Sequence, residues 1–116
     1  MIDNEKFIEQ FHYFDRETTI EIINIFLNEN QDRFNELRKN LQEKDYVQLA
    51  RNSHSLKGTI GSFMAPVPFR LVRDLEEKAI AREDMAIEQC IQDLETACSI
   101  LAIELTNIRA DLLSQM

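Results

Sequence analysis

The stretch from His54 to Gly61, which reads HSLKGTIG, contains the residues of this sequence that are best suited to chemistry. A histidine three residues before a lysine places a nitrogen nucleophile about one helical turn from a positive charge. Both glycines of the chain, Gly58 and Gly61, lie in this stretch, although glycine inside a helix costs about 1 kcal/mol relative to alanine. The pattern favours the binding of an anionic group near the imidazole, and phosphate is the obvious candidate.

The helix that carries this stretch is predicted to bury one face and to expose His54 on another. Successive helical residues turn by about 100°, so Leu56 points about 200° away from His54. The predicted core stripe of this helix comprises Leu49, Ser53, Leu56, Ile60 and Phe63. We therefore expect His54 on the surface rather than in the core.

The neighbours of His54 on the exposed face are predicted to be Arg51, Lys57 and Gly58, because residues three and four apart share a helix face. Arg51 and Lys57 form a small cationic patch on an acidic protein, and Gly61 lies one turn further along. Gly58 has no side chain, so the backbone of another protein can come close to the imidazole. The two glycines are thus expected where a partner docks.

The sequence pattern predicts that helices joined by short loops position these residues. We predict a short first helix at about residues 4–14, a second at 16–42 and a third at 46–63. Asp15 and Asp45 are the predicted N-caps of the second and third helices. Pro66 is expected to stop the third helix near Ala65, and Pro68 to lie early in a fourth helix.

The last helix follows a turn at residues 81–84 and has a regular apolar repeat. Its apolar residues recur at steps of three and four from Ile87 to Leu112, the spacing of a coiled-coil seam. Short connections favour packing of this seam within the chain. We therefore predict an all-α fold, an antiparallel up-down four-helix bundle with a short additional N-terminal helix, in a single domain spanning residues 1–116.

The composition argues against several classes of function. The 116 residues carry a formal net charge of −8, which repels nucleic-acid phosphates and anionic lipid, so no nucleic-acid or membrane role is expected. The N-terminus lacks the apolar region of a signal peptide, and no stretch approaches the ~20 apolar residues of a membrane span. We expect a cytoplasmic protein.

Cys90 and Cys98 are about 12 Å apart along one predicted helix. This distance is too long for a disulfide, so both cysteines are expected to be reduced.

The motif around His54 resembles that of the histidine-containing phosphotransfer (HPt) domains. The family pattern is His-x-Leu-Lys-Gly, followed by small residues and a Gly-Ala pair; this sequence reads HSLKG at 54–58 and TIGSFMA at 59–65. The residues LARNS at 49–53 and LEE at 75–77 also resemble the family, so the resemblance covers about residues 40–80. Met64 departs from the pattern, because the family usually has glycine at this position.

The resemblance implies a phosphorelay intermediate that has no cofactor of its own. His54 would take a phosphoryl group on Nε2 from the aspartate of one response-regulator receiver domain and pass it to the aspartate of another. Lys57 would stabilise the charge on the phosphoryl oxygens, and Gly58 would leave clearance beside the imidazole. In this family, the magnesium ion and the acidic cluster that holds it belong to the receiver partner.

The partners implied by the resemblance are response-regulator receiver domains and a hybrid sensor histidine kinase. The sequence has no ATP-binding motif such as GxxxxGK[ST], so we expect a phosphoryl carrier that does not phosphorylate itself, rather than an enzyme. Relay partners must exchange quickly, so a monomer with a small, transient docking surface is expected. Its predicted docking residues are Arg51, Gly61 and Phe11, with Phe7 and Ile8 as further candidates.

Two other interpretations concern the same bundle. A non-catalytic HPt-like adaptor would keep the docking surface without the transfer, and the departure at Met64 is compatible with it. Alternatively, the apolar repeat of the last helix would join two chains as a coiled coil through Leu94, Leu101 and Leu105. Solution mass and transfer by a His54→Gln variant discriminate these interpretations from the carrier.

A di-iron bundle is the remaining alternative. Such a site uses two Glu-x-x-His pairs on facing helices. Glu9 and His12 form one such pair here, whereas His54 has Arg51 at the matching position. We therefore expect no metal site, and we interpret His12 as a partly exposed structural residue.

Overall fold

The computed structural model describes residues 2–11 and 15–115 of the chain. Its helices are α1 (Asn4–Phe11), α2 (Arg16–Gln42), α3 (Tyr46–Gly61), α4 (Pro66–Ala81) and α5 (Asp84–Ser114). No strand occurs among these residues, so the predicted all-α class is confirmed. His12 and Phe14, for which the sequence predicted a structural role and a place in the first helix, lie outside the described residues.

The two predicted N-caps fix the starts of α2 and α3. Asp15 accepts a hydrogen bond from the backbone N–H of Thr18 at 2.6 Å, and Asp45 accepts one from that of Gln48 at 3.1 Å. Each cap of this kind contributes about 1 kcal/mol because it satisfies an otherwise unpaired N–H group. The cap at Asp45 fixes Tyr46 as the first residue of the helix that carries His54.

The four long helices form a ring in which α3 packs against α2 and α4, and α5 packs against the same two helices. Polar pairs between α2 and α5 establish their antiparallel direction. Arg38 donates two hydrogen bonds to Glu95 at 2.7 and 2.8 Å, and Arg109 donates one to Asn24 at 2.6 Å. Because α3 lies diagonally opposite α5, the outer face of α3 is free of other helices.

The apolar stripe of α3 lies in the core, as predicted. Leu49, Ser53, Leu56, Ile60 and Phe63 are all 0% exposed. The hydroxyl of Ser53 is satisfied within the helix, since it donates to the carbonyl of Leu49 at 2.8 Å. This burial orients α3 and leaves its opposite side to solvent.

The apolar repeat of α5 also packs inside the chain. Leu94, Leu101 and Leu105 are 0% exposed, so they cannot join two copies, and the coiled-coil interpretation that used them is wrong. Cys98 lies in the same seam, where burial raises the pKa of its thiol to about 12. Both cysteines are free and buried, which favours a packing role.

The short helix α1 closes one end of the core with its aromatic rings. Phe7 and Phe11 are 6% and 8% exposed, and the ring centroids of Phe11 and Phe63 are 6.4 Å apart. This burial corrects the prediction that Phe11 docks a partner, because its ring packs against the core. Of the three α1 candidates, Ile8 is the exposed one.

The turn between α3 and α4 explains the unusual position of Met64. Its φ of 54° lies in the left-handed region, where glycine has no steric penalty and other residues do. The carbonyl of Met64 accepts a hydrogen bond from the backbone N–H of Asp3 at 2.9 Å. The left-handed conformation of Met64 interrupts the helical path two residues before Pro66. The helix α3 therefore ends at Gly61, and α4 begins at Pro66.

The substitution Met64→Gly is expected to stabilise the protein by about 1 kcal/mol. A left-handed residue with a side chain costs roughly 1–2 kcal/mol, and glycine removes this cost. Part of the gain is lost because glycine makes the unfolded chain more flexible. Urea denaturation measures the difference. Met64→Ala is the matched control, since alanine keeps the steric penalty and should give no gain. Equal stability of the glycine and alanine variants would contradict this account of the turn.

Candidate functional site

His54 lies on the outer side of α3, and its side chain is 70% exposed. Leu56, two residues later, is 0% exposed. The predicted separation of these two side chains is therefore confirmed. The imidazole is open to a partner, and it is held from one side only.

The side chain that holds the imidazole is Glu76 of α4. The Nδ1 atom of His54 lies 3.3 and 3.2 Å from the two carboxylate oxygens of Glu76. An ionised carboxylate can only accept hydrogen bonds, so the proton of the neutral ring is on Nδ1. The Nε2 atom, across the ring, then carries the free lone pair.

Lys57 completes a cluster of three side chains. Its Nζ lies 3.0 Å from Oε2 of Glu76, and its side chain is 26% exposed. Burial works to raise the pKa of Glu76, but the hydrogen bonds from Lys57 and His54 outweigh it and hold this pKa below its ordinary value. Glu76 is therefore an anion near neutral pH, shared by an imidazole and an ammonium group. We call His54, Lys57 and Glu76 the His54 cluster.

The two glycines of α3 have different surroundings. A Cβ atom on Gly58 would meet nothing within 4 Å, whereas one on Gly61 would lie 3.4 Å from Cε2 of Phe69. Gly58 is exposed and Gly61 is partly buried. The packing of the bundle therefore does not require glycine at 58, while Gly61 lies against the ring of Phe69 in the contact between α3 and α4.

The exposed edge of α4 runs beside the His54 cluster. Phe69 touches Gly61 and Glu76 touches His54. Arg73 lies between Phe69 and Glu76 at helical spacing and shares their face. It is exposed, and it was not among the site residues predicted from the sequence.

Glu76 was also missed as a site residue, although it lies in the LEE segment that resembles the family. The signal that could have identified Glu76 is its position on the surface of α4, next to the buried stripe of that helix. Val72, Leu75 and Ala79 are its buried stripe, and Glu76 borders this stripe on the side that faces α3. Sequence alone did not give the antiparallel register that brings it level with His54.

The other edge of the exposed face belongs to α2. A surface groove there is lined by Asp32 and Glu36 of α2, together with Asn52 and Ser55 of α3. Arg33 lines it too, and its guanidinium is paired with Glu29 at 3.1 Å. The α2 edge is therefore acidic, whereas the α4 edge carries both Arg73 and Glu76.

Residues 2–11 and 15–115 contain no group of three or more histidine, cysteine or acidic side chains that could hold a metal ion. Within the same ranges, no helix is both long enough and apolar enough to cross a membrane.

Comparison with known families agrees with this geometry. The model of the Hpt domain family matches residues 21–111, which include all of α3 and α4 and most of α2 and α5. Among curated proteins and solved structures, none matches the chain significantly. An exposed histidine on a helical bundle and a family match over most of the chain lead to the same conclusion: this chain belongs to the Hpt domain family, whose members carry phosphoryl groups in two-component signalling.

Proposed function

We propose that this chain is a phosphorelay intermediate, in which Nε2 of His54 accepts a phosphoryl group from the phosphoaspartate of one receiver domain and passes it to the aspartate of another. The observation that carries the proposal is the contact of Nδ1 with Glu76, at 3.2 Å, on a side chain that is 70% exposed. One ring nitrogen is thus held by the protein, while the other is free to react.

The transfer begins when the lone pair of Nε2 attacks phosphorus. The P–O bond of the acyl phosphate breaks, and its electrons leave with the aspartate carboxylate of the receiver. The imidazole keeps its Nδ1 proton and becomes cationic, and the carboxylate of Glu76 stabilises this charge. The reverse sequence transfers the phosphoryl group to the second receiver, and the positive charge on the ring makes the imidazole a better leaving group.

Lys57 supplies the positive charge nearest to the ring. Its ammonium group contacts Glu76, which also contacts His54, so both cations are arranged about one carboxylate. A rotation of the flexible lysine side chain brings its charge to the phosphoryl oxygens, where phosphoryl transfer gains most from electrostatic stabilisation. As the ring becomes cationic, it replaces Lys57 as the main partner of Glu76.

Gly58 provides clearance for the approaching receiver. Because a Cβ atom there meets nothing within 4 Å, Gly58→Ala is expected to stabilise the helix by about 1 kcal/mol. The larger Gly58→Leu should fold equally well and slow transfer by roughly tenfold, since misplacement by about 1 Å is costly in a positioned reaction. Chemical denaturation and the rate of transfer from a phosphorylated receiver measure the two effects. An unchanged rate for Gly58→Leu would contradict the clearance role.

The proposed carrier has no cofactor and no kinase activity of its own. The magnesium ion that the reaction needs would be held by the receiver domain, and the phosphoryl group would originate from a hybrid sensor histidine kinase. We propose that the protein acts as a monomer in the cytoplasm. These statements rest on the family resemblance and on the absence of an ATP-binding motif from the sequence.

Intact mass spectrometry tests the proposed function. The protein is mixed with a phosphorylated receiver domain and magnesium, and in a second sample with ATP and magnesium alone. We expect one acid-labile phosphoryl group in the first sample and none in the second. No uptake from a panel of receivers by the folded protein would contradict the carrier function and favour the adaptor; uptake from ATP alone would contradict the absence of kinase activity.

A further inference from the structure

The face around His54 has an exposed arginine on its α4 edge and two exposed carboxylates on its α2 edge. On the α4 side, Arg73 is exposed and lies level with Lys57, one residue before Gly58, since Phe69 lies against Gly61 and Glu76 contacts His54. The geometry is that of two antiparallel helices, on which residues three or four apart share a face. A long guanidinium side chain thus borders the space above Gly58, which no side chain fills.

The charge of Arg73 has no partner among the residues that the structure describes. The side chains of Arg73 and Arg51 make no hydrogen bond or ion pair with any residue in the ranges 2–11 and 15–115. In contrast, Arg33, Arg38 and Lys44 are paired with carboxylates. Two exposed arginines without an ion pair among the described residues therefore lie near the reactive histidine.

The α2 edge has the opposite character. Asp32 and Glu36 line the groove beside Ser55; both are exposed and neither is in an ion pair within the described part of the chain. An acidic surface is therefore repelled by Asp32 and Glu36 on the α2 edge, whereas on the α4 edge, which also carries Glu76 and Glu77, it meets the guanidinium of Arg73, which is unpaired among the described residues. Charges placed in this way set the orientation of a partner more than its affinity.

We propose that Arg73, together with Arg51, binds the acidic rim of the phosphorylation pocket of the receiver domain, and that Asp32 and Glu36 keep this rim away from α2. The proposal rests on the proposed function, because the transfer brings the acidic cluster that holds the receiver's magnesium close to His54. Arg73 is thus a docking residue that selects one orientation of the partner. The partner it fits presents carboxylates toward α4 and no excess of carboxylates toward α2.

The test compares variants of Arg73 in transfer from a phosphorylated receiver, measured as kcat/KM at 0.15 M salt, where charges act over about 8 Å. Arg73→Gln should lower kcat/KM by about three- to tenfold, Arg73→Glu should lower it further, and Arg73→Lys should retain most of it. Arg82→Gln is the control for the loss of one positive charge, since Arg82 is the C-cap of α4, nine residues beyond Arg73, and its guanidinium lies over the ring of Tyr46. At 1 M salt the difference between Arg73→Gln and the wild type should nearly vanish.

Phosphoramidate separates docking from a role at the phosphoryl group itself. This small donor phosphorylates an imidazole directly, with cleavage of its P–N bond and release of ammonia, and it has no acidic rim. Arg73→Gln should therefore take up phosphate from phosphoramidate at the wild-type rate. An equal loss with both donors would overturn the docking role and assign Arg73 to the phosphoryl oxygens.

The remaining outcomes are also decisive. If Arg73→Gln and Arg82→Gln had the same kcat/KM with the receiver, the inference would be wrong while the carrier function stood. If the wild-type protein took no phosphoryl group from either donor, the proposed function would fail and the docking role with it. A loss in Arg73→Gln that persisted at 1 M salt and was not rescued by lysine would indicate a structural effect and overturn the inference.

Discussion

The substitution His54→Gln is expected to abolish phosphoryl transfer, by more than about a thousandfold. The amide nitrogen of glutamine has no available lone pair and cannot replace a positioned nucleophile. The glutamine side chain can still donate a hydrogen bond to Glu76 and is similar in reach to the imidazole. Binding of the receiver should therefore be retained, because the docking surface around residue 54 keeps its shape.

Three measurements define this result. Transfer is followed by the mass of both proteins, binding by calorimetry, and folding by the midpoint of urea denaturation. The proposed carrier predicts loss of transfer alone. Transfer at the normal yield in His54→Gln would contradict the site assignment, and loss of binding together with transfer would contradict the separation of docking from chemistry.

The second large effect is expected at Glu76. The substitution Glu76→Gln removes the charge that stabilises the cationic imidazole, and it allows the ring to place its proton on Nε2. We expect the transfer rate to fall by roughly tenfold to a hundredfold, since the loss of one positioned electrostatic stabiliser costs about 10²- to 10³-fold and this ring is largely exposed. Glu77→Gln is the matched control, because Glu77 is exposed and has no contact with His54 among the described hydrogen bonds.

The dependence on pH follows from the lowered pKa of Glu76. A carboxyl group with a depressed folded pKa contributes stability above its ordinary value of 4.5, and this contribution is lost as the pH falls through the folded value. The contacts of Glu76 with His54 and Lys57 should therefore persist throughout the neutral range.

A transfer rate in Glu76→Gln equal to that of Glu77→Gln at pH 7 would show that the carboxylate of Glu76 has no role in the reaction.

The parts of the fold that depend on local sequence were predictable. Asp15 and Asp45 precede α2 and α3 as N-caps, and their side-chain oxygens could be assigned from residue type alone. The exposed position of His54 followed from the periodicity of α3, because a helix fixes the angle between His54 and Leu56. The motif and its face therefore identified His54 without coordinates.

The contacts between helices were not predictable from local patterns. Glu76 and Arg73 lie beside His54 only because α4 is antiparallel to α3 at one particular register, which the sequence did not specify. Phe11 was assigned to the surface because an amphipathic helix does not reveal whether its aromatic face meets the core or a partner. The left-handed conformation of Met64 was equally hidden, since the residue type argues against it.

The measurement that tests the central claim most directly is the position of the phosphoryl group on the phosphorylated protein. Phosphorus–nitrogen couplings in NMR spectra of the protein labelled with ¹⁵N in histidine identify both the residue and the ring nitrogen. Our account predicts one phosphoryl group, on Nε2 of His54, with the proton of Nδ1 still directed at Glu76. A phosphoryl group on Nδ1 of His54, or on any other residue, would contradict it.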